Sequence, residues 1–349
     1  MQTKRTAYGA PPIIRERIPT VLVDMRIQAY VINLDKDSER LNSVKPELAK
    51  FNLPFQKIIG VPGSALHRDE KQRLASTLCN AFCTPSMIGC AASHLKTWKT
   101  FLHESSGDVA LICEDDIRVM QDARRQLHNA LKEVPSTFDL LYAGCLQCHP
   151  TSSSWSAALF RILTAGKIGN EKSEILTQSI YVPQLALGTH CYLVSRRGAK
   201  KLIAIFEQNI SYHVDVQINA NFRDLEVYAM HPPVAHQTFA TNSSNNVSQY
   251  PALLNSAIKN WTQGGIPGPY VMSAPGGQVF GCVVTNWLVA LCFVSVLMGL
   301  CARKRSDVWY GMVVITLVVT IPDILSKSMK NHWHFPLLMW GSYAGIKNI

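Results

Sequence analysis

Residues 109–113 (VALIC) form an unbroken apolar run that ends in three consecutive acids, Glu114, Asp115 and Asp116. A strand with no polar position has no solvent face, so it must lie inside a sheet that helices cover on both sides. In open sheets of that kind, ligands bind beyond the carboxyl ends of the strands, where these acids fall.

The surrounding pattern extends the same architecture. Residues 27–34 (IQAYVINL) read as a strand, 38–51 as a helix with Ser38 as its N-cap and Pro46 as an interruption, and 55–60 as a second strand. Residues 90–104 place Leu95, Trp98, Phe101 and Leu102 on one helical face, a further helix spans about 120–133, and 138–143 (FDLLYA) is another strand. Strand and helix alternate, which predicts an α/β domain with a mainly parallel mixed sheet.

Alternation past the end of the apolar run sets Glu114 and Asp116 on one side of the chain and Asp115 on the other. Three carboxylates so close repel one another unless a cation lies among them, and hard oxygen donors select Mg²⁺ or Mn²⁺. Such an ion would bridge the phosphates of a nucleotide-sugar. A solvated acidic turn capping the next helix is the competing reading.

Composition narrows the partners without choosing one. The 349 residues are 47% hydrophobic, enough for a packed core, and the formal charge of +10 suits nucleic acid, an acidic membrane surface or phosphorylated substrates. Ten scattered cysteines allow two or three disulfides but not a disulfide framework. Cys145 and Cys148, followed by His149, have a redox or zinc spacing without a second half-site. No apolar run before Ile18 supplies the core of a cleaved signal peptide.

Toward the C-terminus, Cys282–Cys301 carries no charge over 20 residues and reads as a transmembrane helix. Val308–Pro322 completes a hairpin or lies in the interface, and Arg303, Lys304 and Arg305 separate the two runs. That connector alone would put the large domain outside. Lys327 and Lys330 offset the bias, and nothing upstream would translocate the domain, so the cytoplasmic face is expected, with buried core helices as the alternative. The division is an extension (1–25), a catalytic domain (26–260), a Gly/Pro-rich linker (261–280), a membrane segment (281–325) and a tail (326–349).

Seven segments in order resemble glycosyltransferase family 25: VINLDKDSER (31–40), IGCAASHLKTW (88–98), ALICEDDIRV (110–119), DLLYAG (139–144), YLVSRRGAKKLI (192–203), HVDVQI (213–218) and HPPVAHQ (231–237). The resemblance implies a Rossmann-like domain of GT-A type and inverting transfer of galactose or glucose from a UDP-sugar to a glycan, glycolipid or glycoprotein at a membrane. It does not imply a nucleic-acid partner.

Carried over to this sequence, Glu114, Asp115 and Asp116 correspond to the DxD motif, with Asp116 and Glu114 as metal ligands. Asn33 and Leu34 border the nucleotide, and Arg40 pairs with a phosphate or an acidic neighbour. Gly89 allows close backbone approach, and Ser93 and His94 reach the donor. Asp215 is the candidate base, or else a helix cap, and His236 a late metal ligand in competition with His231.

Met87 departs from the acidic residue common before the I-G-C element, and 151–180 match no family segment. The sequons at Asn209, Asn242, Asn246 and Asn260 carry no weight without a lumenal domain. Two other classes remain open: a metal-dependent nucleotidyltransferase or phosphohydrolase, and an inactive sugar-nucleotide-binding relative. The first lacks the Gly-rich phosphate loop it usually needs.

Overall fold

The computed structural model describes residues 25–146, 148, 150, 168–238, 275–279 and 282–285. Ten strands enter the main body: β1 (Ile27–Asn33), β2 (Phe55–Ile59), β3 (Val109–Glu114), β4 (Ile117–Val119), β5 (Leu140–Leu146), β6 (Glu174–Ile175), β7 (Ile180–Val182), β8 (Leu187–Ser195), β9 (Val227–Met230) and β10 (Ala235–Gln237). The helices are α1 (Ser38–Ala49), α2 (Arg68–Leu74), α3 (Thr77–Phe82), α4 (Pro85–Glu104), α5 (Ala123–Glu133), α6 (Arg196–Gln208) and α7 (Val214–Ala220).

Eight strands form one sheet in the order β2-β1-β3-β8-β5-β9-β7-β6. The β1–β2, β1–β3 and β5–β9 pairs are parallel, whereas β3–β8, β5–β8, β7–β9 and β6–β7 are antiparallel. The sheet is therefore mixed, as expected, but antiparallel pairs outnumber parallel ones, so it is not mainly parallel. Leu146 at the end of β5 pairs with Leu187 at the start of β8, so the chain between them leaves and re-enters at one end of the sheet and β8 must run backwards.

Period-two alternation sorts the central strands onto two cores. Tyr30, Ile32, Ala110, Ile112, Tyr142, Tyr192 and Val194 face one side, packed against Trp98 and Phe101 of α4 and Leu202 and Phe206 of α6. Ala29, Val31, Leu111, Cys113, Leu141, Ala143 and Leu193 face the other, covered by Val44 and Leu48 of α1 and Leu127 and Ala130 of α5. Both faces are buried, as the unbroken apolar runs require.

The longest helix shows how local chemistry sets the site. The Thr84 side chain accepts from the Met87 amide at 3.3 Å, and Pro85 opens the first turn, so α4 starts before the expected 90. Trp98 and Phe101 are fully buried, and truncating either to Ala would cost roughly 3–5 kcal/mol. A Cβ on Gly89 would lie 2.6 Å from the Val61 carbonyl oxygen, and one on Gly63 would lie 1.7 Å from the Pro85 oxygen. These two glycines let α4 rest on the loop after β2.

Two boundary expectations change. Asp37, not Ser38, is the N-cap of α1, and Pro46 sits inside that helix without ending it. Cys145 and Cys148 are joined by a disulfide, as are Cys79 and Cys83, which removes the first pair as zinc or dithiol ligands.

Residues 275–279 and 282–285 form a separate antiparallel pair, β11 (Pro275–Val279) and β12 (Cys282–Thr285). The expected linker and membrane helix thus give way to strand at those positions. The rest of Cys282–Cys301, all of Val308–Pro322 and the sequons at Asn242, Asn246 and Asn260 lie outside the described residues. Among the described residues no helix is long and apolar enough to cross a membrane.

Candidate active site

β1 and β3 are parallel neighbours, with Ile32 opposite Glu114, so their carboxyl ends open at the same edge. From β1 comes Asn33, 1% exposed, whose amide donates to the Asp37 carbonyl at 2.9 Å and to Asp115 Oδ2 at 2.7 Å. Its Oδ1 is buried without a hydrogen bond. Leu34, half-buried, follows and accepts from the Asp37 amide at 3.0 Å, closing the turn that leads into α1.

One turn into α1, Arg40 places its guanidinium against both Asp115 Oδ1 and Asp116 Oδ2, the latter at 3.2 Å. Strict alternation would have kept those two acids apart. The chain turns at Asp115–Asp116 before β4, and the turn brings them to one guanidinium while Glu114 points elsewhere.

Glu114 belongs to the neighbourhood of α4 and β8. Its Oε1 accepts from the Thr189 hydroxyl at 2.9 Å and lies 3.4 Å from His94 Nε2. Burial alone would raise its pKa, but His94, His190 and Thr189 outweigh burial and hold the carboxyl below the ordinary range.

Asp116 shows the opposite balance. Burial, then the Glu114 charge, push its carboxyl up to about 7, against the pull of Arg40 and the Gln237 amide at 3.1 Å. Its Oδ1 is buried with no hydrogen-bond partner. Asp115 is also raised, chiefly by burial.

β10 pairs with β4 and carries the last segment over the acids. Gln237, opposite Ile117, is the residue that reaches Asp116. His236, opposite Arg118, is exposed, and no described hydrogen bond or ion pair joins it to Glu114 or Asp116.

Asp215 lies in the first turn of α7, after the N-cap His213. Its Oδ1 accepts from the Val216 amide at 2.7 Å and pairs with His213 Nδ1 at 2.6 Å, while its Oδ2 accepts from the Gly188 amide at 2.8 Å. Gly188 has φ +75°, a conformation that favours glycine and turns its N–H toward the carboxylate. Burial would raise Asp215, but His213 and the two amides hold it at about 2. Burial would likewise lower His213, yet Asp215 raises it.

Gly89 and Ser93 support this arrangement from below. Ser93 Oγ accepts from the Val61 amide at 2.8 Å and donates to the Gly89 carbonyl at 2.7 Å, which ties the loop after β2 to α4. The Asn33 carbonyl accepts from Gly60 at 2.9 Å and fixes the start of that loop.

Thr189, Gln237 and His213 join the site without having been singled out from sequence. His213 and Gln237 lie in segments 213–218 and 231–237 that carry the family resemblance, whereas Thr189 left no readable signal. A separate cavity of about 420 Å³ on the flank of α4, lined by residues such as Leu66, Leu95, Lys96 and Lys99, contains none of the four acids.

Residues 26–218 match the sequence profile of glycosyltransferase family 25, described as an LPS biosynthesis protein family. The chain is 24% identical over 219 residues to procollagen galactosyltransferase 1 of Danio rerio, covering 59% of this chain and 33% of that protein. It is 22% identical over 236 residues to the inactive glycosyltransferase 25 family member 3 of Mus musculus, covering 60% of this chain and 37% of that one. It spans about a third of the length of these relatives.

Among solved structures, the mannosyltransferase PcManGT of Pyrobaculum calidifontis with GDP-Man and Mn²⁺ aligns at 9% identity and TM-score 0.37, covering 93% of this chain and 76% of that one. A mutant Drosophila galactosyltransferase 7 with manganese, UDP-Gal and xylobiose aligns at 12% and 0.33, covering 62% and 71%. With more than half of its 349 residues inside the matched profile, and the family's segments converging on the strand ends, the chain belongs to glycosyltransferase family 25.

Proposed function

We propose that this chain is a metal-dependent, inverting glycosyltransferase of GT-A type, moving galactose or glucose from a UDP-sugar to a glycan, glycolipid or protein acceptor. The observation that carries the reading is Asp116, a buried carboxylate with an unpaired oxygen, pushed up to about 7 beside a second acid. A site built this way is completed by positive charge.

The residues fit a hard divalent ion. Asp116 Oδ1 and Asn33 Oδ1 are buried oxygens without partners, and Glu114, turned to His94 and Thr189, would swing its carboxylate toward them. His236 remains a further candidate ligand from β10. A bound Mn²⁺ or Mg²⁺ supplies charge neutralisation for the diphosphate that leaves the sugar.

The protein groups divide the remaining work. Arg40 holds Asp115 and Asp116 and adds positive charge at the nucleotide end. Asn33 and Leu34 shape the floor, and Gly89, Ser93 and His94 hold α4 against it. Both Asp215 oxygens are engaged, so Asp215 orients neutral His213 through Nδ1 and stabilises the imidazolium that forms as Nε2 takes the acceptor hydroxyl proton. The acceptor oxygen bonds to the anomeric carbon as the bond to the diphosphate oxygen breaks.

In the test, chelation should abolish release of UDP with glycosylated acceptor, and Mn²⁺ should restore it. Transfer unchanged by chelation removes the proposal, and release of pyrophosphate or inorganic phosphate instead of UDP favours a nucleotidyltransferase or phosphohydrolase. Binding of UDP-sugar without turnover favours an inactive relative. Attachment at the cytoplasmic face of a membrane belongs to the same proposal. It rests on apolar sequence beyond Thr285, and vesicle co-sedimentation of the full chain checks it.

A further inference from the structure

One face of α4 carries a donor set of different character. Cys90 and His94 stand one helical turn apart, so both side chains reach the same point beyond the end of β3. There the Cys90 sulfur, a His94 ring nitrogen and a Glu114 carboxylate oxygen all lie within 4.8 Å of one another.

His94 is 1% exposed, and its Nε2, 3.4 Å from Glu114 Oε1, makes no hydrogen bond. The other ring nitrogen, Nδ1, pairs with the Tyr192 hydroxyl at 2.9 Å, and that hydroxyl accepts from Trp98 Nε1 at 2.8 Å. A buried imidazole oriented through one nitrogen, with the other aimed at a thiol and a carboxylate, is the arrangement of a metal ligand with its supporting partner.

Sulfur, nitrogen and oxygen donors at this spacing suit a borderline-soft ion, unlike the mainly oxygen donors around Asp116. We infer that Cys90, His94 and Glu114 form a binding site for zinc or a zinc-like divalent cation, its fourth position open to water or substrate. As the ion binds, the S–H bond of Cys90 breaks, a sulfur–metal bond forms and the proton passes to solvent. The site shares Glu114 with the oxygen-donor site, so the two ions compete for one carboxylate.

The inference stands apart from the transfer reading, because its test reads metal binding rather than turnover. Full-length protein, stripped of metal, is titrated with Co²⁺ and then Zn²⁺ while absorption is followed. Co²⁺ should produce a thiolate-to-cobalt charge-transfer band that Zn²⁺ displaces. The band should vanish in Cys90→Ser, Zn²⁺ affinity should fall at least about tenfold in Cys90→Ser and in His94→Gln, and Cys113→Ser should retain both.

A band that survives in Cys90→Ser, or none in the parent protein, overturns the inference. Should Cys90→Ser fail to fold, alkylation of the native protein decides. Zn²⁺ should protect Cys90 in peptide mass analysis, and equal labelling with and without Zn²⁺ overturns the inference.

Discussion

Asp139 and Asp116 are both buried carboxylates, one at each end of the eight-stranded sheet, and their surroundings differ in kind. Asp139, just before β5, is fully buried and accepts from Arg197 Nε and Lys201 Nζ, each at 2.7 Å, and from the Glu226 amide at 2.9 Å. Burial would raise it, but these partners hold it below the ordinary range. Asp116 shares one guanidinium with Asp115 and keeps an oxygen unpaired. The proposed cation would complete the second acid in the way that two basic side chains and an amide complete the first.

Asp116→Asn should break the comparison hardest. Transfer should drop by about 100-fold or more, as expected for losing an electrostatic contact in the transition state. Urea denaturation of the metal-free variant should find it no less stable than the parent, because the amide removes a charge that burial opposes. A clear loss of stability would place Asp116 in the same class as Asp139.

His213→Gln should slow turnover by about 100-fold, with KM for the donor little changed. Asp215→Asn should leave more activity and move the acid limb of the pH–rate profile to lower pH, since His213 loses the charge that raises it. Full activity in His213→Gln with none in Asp215→Asn would return the base to Asp215 itself.

Asp139→Asn should cost about 2–3 kcal/mol by chemical denaturation while kcat per folded molecule stays near the parent value. A fall in kcat beyond the loss of folded protein would tie the far end of the sheet to catalysis.

Acidity sharpens the contrast further. Asp116, raised in the folded state, adds stability through its bound proton below about pH 4, and this is lost as pH rises through about 7. Asp139, lowered, adds stability above about pH 4 and loses it as the solution becomes more acidic. In chelator, the melting temperature should therefore fall between those values for the parent protein, and fall less for Asp116→Asn, in which only the raised Asp115 and His213 remain.

Ser93→Ala is the mildest change, about 1 kcal/mol for the hydrogen bond to the Val61 amide, read by denaturation. A large loss of transfer without loss of stability would move Ser93 from support into contact with the donor.

The strands and the acid-bearing edge were legible because apolar runs with no polar face have few alternatives. The direction of β8 was not, since it depends on a pairing between Leu146 and Leu187 across a long excursion. The sidedness of the acids was misread by carrying strand alternation past Glu114, where the chain turns. Gly89 allows close approach as expected, but to the loop after β2. Thr189 left no signal, because a strand threonine reveals itself only by what it touches, and Gln237 only its place at the end of a family segment.

The pairing of Leu146 with Leu187 also separates what can change in the intervening chain from what cannot, because β6 and β7 lie within it and belong to the sheet. Its two ends are pinned side by side, and the next residues, Gly188 and Thr189, already grip Asp215 and Glu114. Extra length inserted between β5 and β6, outside the paired strands, costs only about 0.6 kcal/mol of closure entropy per doubling. New residues can therefore be added there above a floor that keeps its shape.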